Sequence, residues 1–111
     1  MNTLSTHVLD TMHGRPAAGL ALVLNGPHGE VARGVTNHDG RCPELIPEAL
    51  APGRYALRFS VAAYFRGLGV ELPEPPFLDE VTIDFGIATD GGHYHVPLLV
   101  SPYGYSTYRG S

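Results

Sequence analysis

Fourteen glycines and ten prolines run through a chain of 111 residues. They fall as punctuation between short runs of alternating apolar and polar residues, with no internal repeat and no low-complexity linker. Proline withholds a backbone donor and glycine admits turn conformations, so both mark where regular structure stops. Punctuation this dense predicts many short strands joined by tight turns, and therefore an all-β sandwich.

Alternation locates the strands. Thr3 to Asp10 places Leu4, Thr6 and Val8 on one face and Ser5, His7 and Leu9 on the other. Thr11 to Pro16 reads as a turn. Leu20 to Asn25 is a mostly apolar strand, and Asn25-Gly26-Pro27-His28-Gly29 is a hairpin loop leading to a strand over Glu30 to Thr36. Asn37-His38-Asp39-Gly40 signals another turn, which Asp39 could cap, and Arg41 follows at once. Pro43 and Pro47 allow at best a short edge strand. Tyr55, Leu57 and Phe59 alternate with Arg54, Ala56 and Arg58. Val61 to Leu68 breaks that period and predicts one short helix, stopped by Gly67 and Gly69. Glu71 to Pro76 is loop. Val81, Ile83 and Phe85 mark a further strand, and His93 to Val100 and Gly104 to Tyr108 are the last two. Ser101-Pro102-Tyr103-Gly104 joins these as a type I turn. The total is seven or eight strands and one short helix, in one domain over residues 1–111.

Composition narrows the function. Formal net charge is −4, whereas binding nucleic acid calls for a basic face. All cations are arginine, which removes lysine Schiff-base chemistry. Cys42 is the only cysteine, so no intrachain disulfide forms, and no base stands beside it in sequence to activate it. No secretory signal and no apolar run of about 20 residues is visible, so no membrane role is expected and the cytoplasm is the expected compartment.

The chemistry concentrates at the C-terminal end, where two histidines, several tyrosines and hydroxyls and an arginine fall within His93 to Ser111. His93 and His95 are two apart on a strand and project from one face. They suit a zinc or copper site if His7, His13, His28 or His38 adds a third ligand. They equally suit acid–base chemistry near neutral pH, or plain packing. Arg41, re-entering a strand after a turn, is either a solvated charge or a fork that grips planar oxygen and nitrogen edges and steadies an oxyanion. No carboxylate dyad, nucleophile elbow or phosphate-cradling glycine loop accompanies them.

Several segments resemble the 5-hydroxyisourate hydrolase family, the transthyretin-related enzymes of urate breakdown. They are Leu4-Ser5-Thr6-His7-Val8-Leu9-Asp10, Gly14-Arg15-Pro16-Ala17, Thr36-Asn37-His38-Asp39-Gly40-Arg41, His93-Tyr94-His95-Val96-Pro97-Leu98-Leu99 and Ser101 through Ser111. The terminal Tyr108-Arg109-Gly110-Ser111 separates the hydrolases from transthyretin proper. The resemblance implies a prealbumin-like sandwich of two four-stranded sheets with one short helix. It implies a homotetramer, a dimer of dimers, with sites where the dimers meet. The implied reaction opens 5-hydroxyisourate to 2-oxo-4-hydroxy-4-carboxy-5-ureidoimidazoline, with neither metal nor other cofactor. The family's motif residues fall on His7, Arg41, His95, Tyr108 and Ser111, with His93 a weaker candidate. In the expected roles His7 and His95 activate water, Arg41 stabilises the oxyanion, Tyr108 binds substrate and Ser111 orients a histidine or the water. The competing expectation is a transthyretin-like carrier that holds a flat hydrophobic ligand without chemistry.

Overall fold

A computed structural model describes residues 2–45 and 49–110. Among these residues eight strands make two four-stranded sheets, packed as a sandwich. The strands are β1 (Thr3–Asp10), β2 (Arg15–Pro16), β3 (Ala21–Gly26), β4 (Gly29–Val35), β5 (Gly53–Ser60), β6 (Glu80–Ile87), β7 (His93–Ser101) and β8 (Gly104–Thr107), with one helix, α1 (Val61–Gly67), between β5 and β6. The sheet orders are β2-β1-β7-β8 and β4-β3-β5-β6. No helix among the described residues is long and apolar enough to cross a membrane.

Period-two patterning explains the layers. Leu4, Thr6, Val8 and Asp10 of β1 are buried, while Thr3, Ser5, His7 and Leu9 face outward and are half-buried. Tyr55, Leu57 and Phe59 of β5 and Val81 and Ile83 of β6 fill the core from the opposite sheet. Burying a side chain such as Phe59 or Leu57, both wholly enclosed, stabilises the fold by roughly 1.5–3 kcal/mol each. Helix α1 turns Val61, Ala62, Tyr64 and Phe65 toward the interior. It ends in a Schellman motif. Gly69 takes φ +85°, its amide donates to Arg66 O (2.9 Å), and the Val70 amide donates to Phe65 O (3.1 Å).

Two segments depart from the sequence expectation. The turn over Thr11 to Pro16 ends in a two-residue strand, β2, which pairs antiparallel with β1 at Leu9↔Pro16 and Asp10↔Arg15. Proline is tolerated there because β2 is the outermost strand of its sheet. The expected edge strand near Pro43 is instead a 3-10 turn over Pro43–Leu45. Proline presets the first helical position, and the turn buries Leu45. Pro47 lies outside the described residues.

The decisive pairing is parallel. β1 and β7, from opposite ends of the chain, run side by side with Thr3↔His93, Ser5↔His95 and His7↔Pro97 in register. Local alternation reveals which residues share a face of one strand, not which strand lies beside it.

Candidate functional site

The parallel register assembles one cluster on the outer face of the β2-β1-β7-β8 sheet. β1 contributes Ser5 and His7, and β7 contributes His93 and His95. Arg41 arrives from the turn after β4, docked on the edge of β1. There His7 and Arg41 form an isolated antiparallel bridge, and the Val8 amide donates to Gly40 O (2.8 Å).

Asn37, rather than Asp39, organises that turn. Its side-chain oxygen accepts the backbone N–H groups of Asp39 (2.9 Å) and Arg41 (3.1 Å). Gly40 holds φ +76°, and a Cβ there would run into the Val8 carbonyl. Only glycine lets the loop lie flat on β1 and carry Arg41 to His7.

His95 is the most constrained member. Its Nδ1 lies 2.7 Å from Ser5 Oγ, and its backbone carbonyl accepts the Gly110 amide (2.7 Å). A side chain at position 110 would put its Cβ 2.5 Å from the ring's Cδ2, so the tail packs directly on the imidazole. Burial, the Arg41 guanidinium and the neighbouring His7 and His93 rings hold its pKa below the usual histidine value. A histidine so placed is neutral at pH 7 and free to take a proton.

Arg109 locks the returning tail. Its guanidinium sits 4.0 Å over the Tyr94 ring and donates to Gly91 O (2.9 Å) and His93 O (3.2 Å). Tyr108 is exposed (61 %) and lines a cleft of about 360 Å³ at the sandwich edge, walled also by Ile83, Phe85, Val96 and Arg109. His7, Arg41 and His95 do not line that cleft. Ser111 lies outside the described residues.

The other candidates separate from the cluster. His13 belongs to the inner side of β1, its Nδ1 2.6 Å from Asp10 Oδ2. His28 sits at the β3–β4 hairpin tip and His38 in the Asn37 turn, both exposed. Among the described residues no group of three or more His, Cys, Asp or Glu side chains is placed to share a metal ion. Cys42 is buried. Burial, with the Glu44 carboxylate, raises its thiol pKa and makes it a poor nucleophile at neutral pH. Sequence reasoning missed Ser5 and Gly110. The signal for Ser5 was its place on the His7 face, and that for Gly110 its place in the terminal Tyr108-Arg109-Gly110-Ser111 motif.

A transthyretin-like sandwich carrying three imidazoles and a guanidinium on one outer sheet face defines the class. The family model described as HIUase/Transthyretin family matches residues 4–110, and the chain belongs to that family. A 5-hydroxyisourate hydrolase of Ralstonia nicotianae is 55 % identical over 117 residues, covering 100 % of both chains. The solved 5-hydroxyisourate hydrolase of Klebsiella pneumoniae superposes with a TM-score of 0.88 at 40 % identity, again across 100 % of both. A solved (S)-allantoin synthase gives a TM-score of 0.90 at 42 % identity over 99 % of this chain, which spans 44 % of that protein.

Proposed function

We propose that this chain hydrolyses 5-hydroxyisourate in urate degradation, with His7, His95 and Arg41 as its working groups. Its full-length similarity to hydrolases of that name supports the enzyme class. The observation that carries the mechanism is the convergence of three side chains from three distant segments on one face, with His95 kept neutral by its surroundings.

The substrate is a planar oxidised purine whose ring opens when water adds to a carbonyl carbon and the carbon–nitrogen bond breaks. His95, assisted by His7, takes a proton from the water as its oxygen attacks. The carbonyl oxygen gains negative charge, and Arg41 stabilises it with a directed guanidinium. The imidazolium then returns its proton to the departing ring nitrogen, leaving a carboxylate and an N–H group. Tyr108 binds the substrate, and Ser111 orients a histidine or the water.

The working face is an open sheet surface on one protomer, and binding sites favour clefts between units. The exposed Tyr103, Tyr105 and Tyr108 around β8 supply apolar area for association. A homotetramer, arranged as a dimer of dimers, would wall the site with a second copy. A fully active monomer by light scattering contradicts that arrangement. The carrier alternative predicts ligand binding without turnover.

The direct experiment is to generate 5-hydroxyisourate freshly with urate oxidase and follow its loss by ultraviolet absorbance. Accelerated loss with purified protein is expected, undiminished by chelator dialysis. A rate equal to the uncatalysed decay rejects the assignment.

A further inference from the structure

The hydrogen bonds of the outer face extend beyond the three charged groups. Ser5 Oγ lies 2.7 Å from His95 Nδ1 and 2.9 Å from His93 Nε2. Thr3 Oγ1 lies 2.6 Å from His93 Nδ1. The register explains the order, since Thr3 and Ser5 stand opposite His93 and His95 in the ladder. Four side chains therefore form a line, Thr3–His93–Ser5–His95, from exposed His93 to half-buried His95.

A serine hydroxyl has one hydrogen to give. Placed between two imidazole nitrogens, it donates to one and accepts from the other. When both rings are neutral, two arrangements satisfy the line. In the first, His95 Nδ1–H donates to Ser5, Ser5 donates to His93 Nε2, and His93 Nδ1–H donates to Thr3. His95 then presents a bare Nε2. In the second every donor reverses, and Nε2 carries the hydrogen.

Only the first makes His95 a base at Nε2. It also needs no rearrangement during reaction. When Nε2 takes a proton from water, the Nδ1–H to Ser5 bond is already in place and strengthens as the ring becomes charged. The titratable and charged groups that face His95 and disfavour its protonation are Arg41 from the docked turn, His7 from β1 and His93 from β7. The Arg109 guanidinium is engaged elsewhere, on Tyr94 and the carbonyls of Gly91 and His93. Gly110 closes the Cδ2 edge of the ring.

Building on the assignment of His95 as a catalytic base, we infer that Ser5 is a positioning residue of this site. Its hydroxyl, anchored by His93, holds His95 as the Nδ1–H tautomer with Nε2 as the basic nitrogen. His93 thereby acquires a role through Ser5 rather than through substrate.

Long-range nitrogen–proton NMR of histidine side chains in the full-length protein reads the tautomer without turnover. Wild-type His95 is expected as Nδ1–H. Ser5→Ala is expected to mix the tautomers and lower kcat about tenfold with KM within about twofold, the scale of one lost hydrogen bond. Ser5→Thr is expected to restore both. A wild-type His95 found as Nε2–H overturns the inference, as does a folded Ser5→Ala protein with unaltered tautomer and kcat. If Ser5→Ala does not fold, His93→Leu removes the anchor from an exposed position. It should loosen the tautomer and lower kcat about threefold, and unchanged values for both would be equally fatal. Full activity in His95→Gln would instead reject the catalytic role of His95. The two failures are distinguishable because the tautomer is measured independently of turnover.

Discussion

Two polar clusters, each including histidine, lie on opposite faces of β1, and they are built to opposite ends. On the inner side the wholly buried Asp10 meets His13 Nδ1 at 2.6 Å, the His13 amide at 3.0 Å and Tyr64 OH at 2.8 Å. Burial works to raise the Asp10 pKa, but the bonds from His13 and Tyr64 outweigh it and hold the carboxylate below its usual value. The Tyr64 phenol is pushed up to about 12 by burial and its bond to Asp10. Donors and acceptor are matched there, and the cluster fastens helix α1 and the turn after β1 to the core. On the outer side, by contrast, His7, His93, His95 and Arg41 crowd together with no carboxylate partner in the hydrogen bonds or ion pairs among the described residues. Complementary charge makes a fastener. Imidazoles gathered beside a guanidinium disfavour protonation of one another, as the lowered His95 pKa reflects, and suit a site that must receive a proton and an oxyanion.

Breaking the outer cluster should therefore cost rate rather than stability. His95→Ala removes the proposed base and should lower kcat by ~10²–10⁴-fold with little change in melting temperature. Near-normal turnover by a folded His95→Ala protein would remove the assignment. Arg41→Gln should cost ~10²–10³-fold, the loss typical of one oxyanion donor. Its residual activity carries a second signature. The Arg41 charge helps hold the His95 pKa below about 6.5, and activity should fall as pH drops through that lowered value and His95 protonates. Without the guanidinium the acidic limb of the rate profile should move to higher pH. A limb that stays in place would dissociate Arg41 from His95.

Gly110→Ala tests how tightly the tail packs on the ring. The new Cβ would sit 2.5 Å from His95 Cδ2, so the imidazole or the tail must shift. A displacement of about 1 Å near a reacting group costs on the order of 10²-fold. The expected loss lies in kcat, and a variant with wild-type kcat would show that the tail can move without disturbing the base.

The same contrast explains how much the amino-acid order disclosed. Most strands were legible, because alternation such as Tyr55, Leu57, Phe59 is imposed by burial of one sheet face. β2 was not, since a two-residue strand around Pro16 has no period to display. His7, Arg41 and His95 were found by resemblance, and the bare spacing of His93 and His95 fitted metal, acid–base chemistry or packing alike. What brings His7, Arg41 and His95 together is the β1–β7 register and the Asn37 turn, both contacts between distant segments. The Asp10 cluster went unread for the same reason, because Tyr64 Oη reaches Asp10 from 54 residues away.

The smallest expected effect on turnover belongs to the inner cluster. Tyr64→Phe removes one hydroxyl from a buried carboxylate and should cost about 1–3 kcal/mol of stability, measured by denaturant unfolding, while kcat stays within about twofold. Its pH dependence has a definite sign. Asp10 is depressed in the folded state, so its contribution is complete above the unfolded carboxylate pKa of about 3.9. That contribution disappears as pH falls through the lower folded value. The variant should thus lose stability relative to wild type at pH 7, and the gap should narrow once Asp10 is protonated in both. A gap that did not change on acidification would mean that the Tyr64 hydroxyl does not act through the Asp10 carboxylate and that the inner cluster is not held by its charge. The opposition between the two faces of β1 would then rest on the outer face alone.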